Sequence, residues 1–291
     1  MGNHSRARCA RNCTSLATWA LTGLAVLTLA TPAAAQWSVY SSADLGFSIA
    51  DATGDGTIDT AGGTFTLGGD DTDVSPFLGG AIGLRVPLSE ATPWSTPRWL
   101  EGFALREELE IVGLRNYKLS TDPPEQNGTP VASGGKTITE IDTWSVMVNT
   151  WLDVPLDGLY RPISWTSARL FGRWRLRTLK QILERTTISG GAGIGATFLD
   201  VETNQGGTRG DDKTNEFAWQ AGAGIGYQLS DRVNLSFGYR YIDPGSVDMG
   251  LSGDGALSGS DFEIDPEIHE ARATLRVEIF DFVNPWHYVT R

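Results

Sequence analysis

The chain has only two cysteines, Cys9 and Cys13, and both lie near its N-terminus. We expect residues 1–35 to be a cleaved secretory signal peptide. A basic segment without acidic residues precedes the apolar run Leu16–Ala30, which is too short to span a membrane, and small residues at 33–35 supply a cleavage site. The predicted mature chain, residues 36–291, then contains no cysteine. This excludes disulfides, thiol catalysis and cysteine-ligated metal sites in it.

Positive charge is also scarce. The chain has 23 Lys and Arg against 35 Asp and Glu, which gives a net charge of −12. The predicted signal peptide contains Arg6, Arg8 and Arg11 and no acidic residue, so its removal changes the net charge to −15 (−12 − 3). Nucleic-acid binding depends on neutralising phosphates with Lys and Arg. We therefore expect no nucleic-acid partner.

Long apolar runs are absent after residue 35, and hydropathy alone would class the mature chain as soluble. What the chain has instead is alternation, read most clearly over Val233–Tyr241, where every second residue is apolar or aromatic. In a strand this pattern gives one apolar face and one polar face. It recurs about eight times, which is typical of strands with lipid on one side only. We predict strands near 37–50, 74–86, 99–113, 141–154, 187–198, 217–229, 233–243 and 266–280.

The connections between these strands alternate in length. Long polar loops are predicted at 51–73, 114–140, 199–216 and 244–265, and shorter turns or links at 87–98, 155–186 and 230–232. Outer-membrane barrels combine short periplasmic turns with longer external loops. The sequence therefore predicts an all-β fold: one eight-stranded antiparallel transmembrane up-and-down β-barrel over residues 36–291, with both termini periplasmic.

Two strands are rich in glycine, at 190–195 and 221–227, and a third reads Asn-Leu-Ser-Phe-Gly-Tyr-Arg-Tyr at 234–241. In these segments the chain resembles the small outer-membrane β-barrel superfamily of Gram-negative bacteria, which includes Opa-type adhesins, the OmpA membrane domain and porin-like surface antigens. The resemblance implies an outer-membrane location and a structural or surface-interaction role. It also implies contact with outer-membrane lipid and lipopolysaccharide, use of the barrel assembly machinery, and a monomeric state.

Charged residues are predicted inside the barrel. The strand register directs eight of them inward: Arg106, Glu108, Glu110, Arg240, Glu270, Arg272, Arg276 and Glu278. An eight-stranded barrel is just wide enough for side chains to fill it, and a buried charge without a partner is strongly unfavourable. Because both signs are present, we expect a paired internal network; a narrow porin-like channel for small solutes is the alternative.

The link at 155–186 is the most unusual segment. Within it, residues 164–185 place Arg169, Arg173, Arg177 and Lys180 on one face of an amphipathic helix, with apolar residues opposite. A strand is the competing interpretation, since arginines also alternate with apolar residues there. Bacterial barrels have even strand numbers, which favours the helix. We expect its basic face to contact anionic headgroups at the inner leaflet, or the helix to cap the barrel rim.

The first predicted external loop contains Asp51, Thr53, Asp55 and Asp59 at the spacing of the first nine positions of an EF-hand loop. Gly62 stands where a bidentate glutamate is expected, and no flanking helices are evident. An acidic, solvated loop is the favoured interpretation, with a calcium site as the alternative.

Some small barrels are enzymes that use His with Ser and an acidic residue. The predicted mature chain has two histidines, His269 and His287, and neither is part of a His-x-Ser pairing like that of the lipid A deacylases. We expect His269 to lie at the rim, where water or Glu270 satisfies it. The sequence thus favours a non-enzymatic surface or structural protein exposing acidic loops. A channel is the second hypothesis, and a lipid-modifying hydrolase is the third.

Overall fold

The computed structural model describes residues 37–60, 63–91, 100, 102–121, 125–126, 129–130, 137–157, 180–205, 208–250, 252–253 and 261–282. The predicted signal peptide and His287 lie outside this part of the chain.

Eight long strands form the architecture, and the prediction of an eight-stranded antiparallel barrel is confirmed. Each strand pairs with the next, and the last returns to pair with the first from Trp37↔Phe282 to Thr57↔Asp261, which closes the ring. The strands are β1 (Trp37–Thr60), β2 (Gly63–Pro87), β3 (Ala104–Thr121), β4 (Thr137–Pro155), β5 (Thr186–Gln205), β6 (Thr208–Ser230), β7 (Val233–Asp243) and β8 (Asp261–Phe282).

The remaining elements are short. Strands of two to four residues lie at Glu125–Gln126, Thr129–Pro130, Val247–Gly250 and Ser252–Gly253. One helical turn spans Leu88–Ala91 and another spans residues 180–184. Within the described residues, none of the helices has the length and apolar character needed to cross a membrane.

The two faces of each strand meet different surroundings. On β1, Leu45, Phe47 and Ile49 are 61%, 64% and 42% exposed on the outside, while Asp44 and Ser48 are fully buried inside. The outward residues from Val39 to Ile49 cover about 33 Å along the strand at ~3.3 Å per residue. At a tilt of about 40° this is roughly 25 Å along the barrel axis, the height of the apolar band of transmembrane barrels.

Aromatic side chains border this band at both ends. Trp37 stacks on Phe282 with ring centroids 3.9 Å apart, and we call this the terminal end of the barrel. Trp144 stacks on Phe198 at 4.0 Å towards the opposite end, which we call the loop end. Rings with an apolar body and a polar edge favour the membrane–water interface.

The predicted loops at 51–73, 114–140, 199–216 and 244–265 are in large part strand. β1 and β2 stay paired out to Thr60↔Gly63, and β5 and β6 out to Gln205↔Thr208. The polarity of these segments predicts loops, and this prediction is wrong for most of their described length. Polarity reports contact with water, and a hairpin that extends beyond the membrane is solvated on its outside while its backbone ladder continues.

The predicted basic helix falls largely outside the described residues, as do Arg169, Arg173 and Arg177. Lys180 lies in the helical turn 180–184, where its Nζ is 3.3 Å from Glu184 Oε1, one turn along. The choice between helix and strand for the rest of 164–185 stays a prediction.

β3 contains an irregularity that redirects its side chains. The pairing with β4 shifts between Val112 and Arg115, and Leu114 adopts a positive φ of 62°. The extra residue lets Leu114 remain outside, 76% exposed, while Arg115 enters the interior at 1% exposure. A period-two count along β3 places Arg115 on the wrong face.

Glycines on the inward face of β5 make room for large neighbours on β4. Side chains of Trp151, Asn149 and Met147 occupy the space where a Cβ on Gly191, Gly193 and Gly195 would lie. The run 190–195 therefore serves packing across the strand pair.

We predict that Gly195→Ala destabilises the barrel by about 1–3 kcal/mol, the usual cost of overpacking. A Cβ added there would overlap the carbonyl oxygen of Val146 and lie 2.8 Å from Cα of Met147. Gly190→Ala is the matched control, because its nearest neighbour would be 4.0 Å away. Urea unfolding in lipid vesicles measures both, and equal midpoints would contradict the packing argument.

Candidate functional site: the ion network inside the barrel

Six charged side chains form a continuous chain of ion pairs across the barrel interior. We call them the central ion network: Asp44, Glu110, Arg115, Arg240, Glu270 and Arg272. They project from β1, β3, β7 and β8, and the three acids and three bases alternate along the chain of contacts. All are nearly or completely buried. At this level the barrel interior is filled by charges that neutralise one another.

Glu110 is the centre of the network. One of its oxygens accepts hydrogen bonds from Asn149 Nδ2 at 2.7 Å and Arg240 Nη1 at 2.7 Å. Its other oxygen accepts a hydrogen bond from Arg272 Nη2 at 2.8 Å. Since burial of an unpaired carboxylate is unfavourable, these donors are what allow Glu110 to remain in the interior as a charged group.

Glu270 joins Arg240 to Arg115 within the network. Arg240 donates to its Oε2 from Nε at 2.9 Å, and Arg115 donates to its Oε1 from Nε at 2.8 Å. Arg115 also donates to Ser145 Oγ at 3.1 Å. The network thus links β3, β4, β7 and β8, including strands that are not neighbours in the ring.

A second set of charges lies nearer the terminal end. We call Tyr40, Arg106, Glu108, Asp153 and Arg276 the terminal-end cluster. Arg106 Nε donates to both oxygens of Asp153, at 3.0 and 2.9 Å. Its Nη1 pairs with Glu108, which also accepts a hydrogen bond from Tyr40 Oη at 2.7 Å. Arg276 is less well paired, with its Nη1 3.8 Å from Asp153 Oδ2.

The loop-end interior is largely apolar, which the prediction of a polar interior did not include, although the buried hydroxyl pair Thr139–Thr203 also lies there. We call this set the apolar cluster: Ala50, Ala52, Tyr117, Leu119, Ile141, Leu199, Val201, Ile242, Val247, Ile264 and Ile268. Each member is at most 4% exposed. Tyr117 joins it to the charged region by donating to Ser48 Oγ at 2.8 Å. Together, the described side chains of the apolar cluster and the central ion network occupy much of the loop-end half of the interior.

The structure places most of the predicted interior charges as the register required. Arg106, Glu108, Glu110, Arg240, Glu270, Arg272 and Arg276 face inward and take part in ion pairs, while Glu278 is partly exposed at the terminal end. Three further members were missed: Asp44, Arg115 and Asp153. Alternation on β1 and β4 was sufficient to find Asp44 and Asp153, whereas the irregularity in β3 hides Arg115.

The proposed calcium ligands do not converge. Asp51, Thr53, Asp55 and Asp59 lie along β1, which is paired with β2 at each of these positions. In an extended strand residues 51 and 59 are about 26 Å apart, so they cannot surround one ion as a curled loop does. A single site built from these four residues is therefore incompatible with the hairpin. The described side chains also include no group of three or more His, Cys, Asp or Glu arranged to hold a metal.

His269 lies on the outer face of β8. Its Nδ1 is 2.5 Å from Tyr239 Oη, and the ring packs against Tyr241 with centroids 5.4 Å apart. Glu270 points inward because successive strand residues face opposite sides. The expected partnership of His269 with Glu270 is thus wrong.

A family model described as outer membrane protein beta-barrel domain matches residues 176–265, which include β5 to β7. A comparison with curated proteins finds no match. Among solved structures, the chain is similar to Neisserial surface protein A, with 14% identity over 84% of this chain and 99% of that one, and a TM-score of 0.36. It is also similar to OprG from Pseudomonas aeruginosa, with 9% identity over 86% of this chain and 100% of that one, and a TM-score of 0.45. The protease OmpT from Escherichia coli is 9% identical over 83% of this chain and 97% of its own, with a TM-score of 0.30.

We predict that Arg240→Met destabilises the barrel by about 3–5 kcal/mol, because it leaves Glu110 and Glu270 buried with one charged partner fewer each. Lys118→Met is the control. The side chains of its ion pair with Glu140 are 63% and 48% exposed, so solvent screens the pair and we expect it to contribute far less than a buried one. Urea unfolding in vesicles gives both values, and a loss for Arg240→Met no larger than the control would show that the network is not stabilising.

Proposed function

We propose that this chain, an outer-membrane β-barrel protein of Gram-negative bacteria by its fold and its family match, has a structural or surface-interaction role. In this role the barrel anchors hairpins that face the exterior of the cell. The proposal makes the protein neither an enzyme nor an open channel.

The filled interior is the observation that carries this proposal. Solute flow along the barrel axis would have to pass the apolar cluster and then the central ion network, and in both the side chains are buried against one another. The porin-like alternative needs these contacts to open. Because the charges are paired within a narrow ring, opening would separate buried ion pairs, which is unfavourable.

The extended hairpins provide the surface for interaction. β1–β2, β3–β4 and β5–β6 all continue beyond the apolar band, and exposed ion pairs such as Lys118–Glu140, at 2.8 Å, lie on them. The hydrogen bond to Glu140 raises the pKa of Lys118 above its ordinary value, so this lysine stays charged. Such polar, solvated faces favour contact with other polar surfaces over burial in lipid.

We infer the membrane partners from the apolar band and the solvated hairpins. The apolar band would contact outer-membrane lipid, and the solvated hairpins would lie beside lipopolysaccharide sugars and phosphates. The barrel assembly machinery would insert the chain, which would act as a monomer with both termini periplasmic. A basic helix face at Arg169, Arg173, Arg177 and Lys180 would contact anionic headgroups at the inner leaflet.

The hydrolase alternative has little support at His269. Its neighbours Tyr239 and Tyr241 supply a hydroxyl contact and a ring contact, and no serine is among its described contacts. An aromatic group at the membrane interface accounts for this arrangement.

The topology is tested by labelling intact cells with a membrane-impermeant maleimide. The predicted mature chain has no cysteine, so a single Lys118→Cys variant reports the loop end and a single Asp231→Cys variant the terminal end. We expect the first to be labelled on intact cells and the second only after permeabilisation. Both positions are exposed on the folded barrel, so a difference in labelling reports the side of the membrane and not local burial. The reverse pattern would show that the hairpins face the periplasm.

The channel alternative is tested by conductance in planar bilayers. We expect no steady conductance from the wild-type barrel, because the described side chains of the apolar cluster and the central ion network are buried against one another. The preparation must first show the shift in gel mobility between unboiled and boiled samples that a folded barrel gives. A steady ohmic conductance from such a preparation would favour the porin-like channel.

A further inference from the structure

A groove on the outer wall of the barrel crosses β3, β4, β5 and β6 near the loop end. Its volume of about 540 Å³ is within the range of about 300–1,000 Å³ that is typical of pockets for small ligands. Leu114, Trp144 and Lys213 line it with exposed side chains, so it faces away from the interior. Its floor includes Arg115 and Leu199, whose side chains are buried inside the barrel.

The strand register arranges the outward residues of the groove in two rows. In the aromatic row, Trp144 of β4 lies opposite Phe198 of β5, and the two rings stack. In the polar row, two residues nearer the loop end, Asp142 lies opposite Asp200, and Asp200 lies opposite Lys213 of β6. Two residues along a strand span about 7 Å, so a single small ligand contacts both rows.

The lower edge of the groove is continuous with the apolar band that faces lipid. Ala196 follows Phe198 on the outer face of β5, and it lies between Val146 of β4 and Phe217 of β6. Phe217 is 58% exposed on that face. A ligand that fills the groove therefore combines an apolar part within the membrane with a polar part at its surface, which is the composition of a membrane lipid.

Leu114 forms the β3 side of the groove in a strained backbone conformation. Its φ of 62° lies in the left-handed region, which is unfavourable for a residue with a Cβ. The shift of pairing between Val112 and Arg115 leaves Trp144 opposite Gly113 and Leu114. Strained residues of this kind are concentrated at binding sites, and this one projects beside the aromatic row.

The polar row offers both donors and acceptors of hydrogen bonds. Asn116 Nδ2 donates to one oxygen of Asp142 at 2.6 Å. Lys213 pairs with one oxygen of Asp200, and Asn215 adds an amide that both donates and accepts. A phosphate would meet two carboxylates here, and an ammonium group would meet the lysine. Neutral hydroxyl groups, which donate and accept, match this row better than either ion.

We propose that the groove binds the sugar headgroup of an outer-leaflet glycolipid, lipopolysaccharide. The apolar face of a sugar ring packs against Trp144, and its hydroxyls bond to Asp142 and Asp200. The site rests on the proposed function, because it needs the loop end to lie at the outer leaflet, and it gives the surface role a lipid partner. A free glycan would leave the apolar lower edge uncovered.

The proposal is tested on the folded barrel in phosphatidylcholine nanodiscs that contain a rising fraction of purified rough-type lipopolysaccharide, or the same fraction of phosphatidylglycerol. The readout is the NMR signal of the Trp144 indole N–H, assigned by its loss in Trp144→Phe. We expect a saturable shift with lipopolysaccharide and no comparable shift with phosphatidylglycerol. A shift that never saturates, or an equal shift with phosphatidylglycerol, would overturn the proposal.

Dephosphorylated lipopolysaccharide separates the sugars from the phosphates of the headgroup. We expect the saturable shift of the Trp144 signal to persist with it, because sugar hydroxyls make the contacts. Loss of the shift would show that phosphates are what the groove recognises, against the proposal.

Asp200→Ala gives opposite results for the two chemistries. It removes an acceptor for a hydroxyl and also removes the carboxylate that pairs with Lys213. We expect the half-saturating fraction of lipopolysaccharide to rise about fivefold or more, as for loss of a hydrogen bond to a charged group, whereas phosphate recognition would lower it. Asp265→Ala is the matched control, because this exposed aspartate lies on β8 at the loop end and outside the groove, and we expect no change.

An unchanged or lower half-saturating fraction in Asp200→Ala contradicts the proposal. Gel mobility of unboiled samples checks folding; if Asp200→Ala does not fold, Asp142→Ala replaces it, and an unchanged fraction in that variant is equally contradictory. The nanodisc assay does not depend on orientation in the cell. Failure of the sugar site therefore leaves the surface role intact, while a reversed maleimide-labelling pattern refutes the surface role whatever the nanodiscs show.

Discussion

Closing eight strands into a ring leaves an interior too narrow for water to solvate charged groups freely, and the rest of the structure depends on this constraint. Each inward side chain must find its partners among the other inward side chains. Glu110 meets the requirement with donors from β4, β7 and β8, and Glu270 with arginines from β3 and β7. The ion network thus stabilises the closed ring of strands, and closure of the ring in turn brings the members of the network together.

The same network supplies long-range connections that the backbone ladder cannot. Ladder hydrogen bonds join neighbouring strands only, whereas Arg115 and Glu270 join strands separated by 155 residues in sequence. Because these pairs are buried, their partners depend strongly on one another, and removing one charge leaves another without compensation. The interior therefore favours one closed arrangement over alternatives with shifted strand pairing.

The two halves of the interior differ in how completely they satisfy this condition. The loop-end half combines apolar packing with a charge network in which acids and bases alternate, while the terminal-end half contains loosely paired arginines and cavities. The loop end has exposed hairpins above a closely packed interior. The terminal end instead has a polar cavity that solvent reaches.

The sequence by itself determined the strand number, the alternation of faces and most of the inward charges, because these depend only on the period of two along each strand. Only the tertiary structure decided which charges pair, since partners such as Arg115 and Glu270 come together through ring closure. The irregularity at Leu114 shifts the period-two alternation of β3 locally, and the conformational preference of leucine does not predict it. The sequence also did not predict how far the hairpins extend, or that Asp51 and Asp59 lie far apart along β1. Polar sequence indicates contact with solvent, which is compatible with both a loop and a solvated strand.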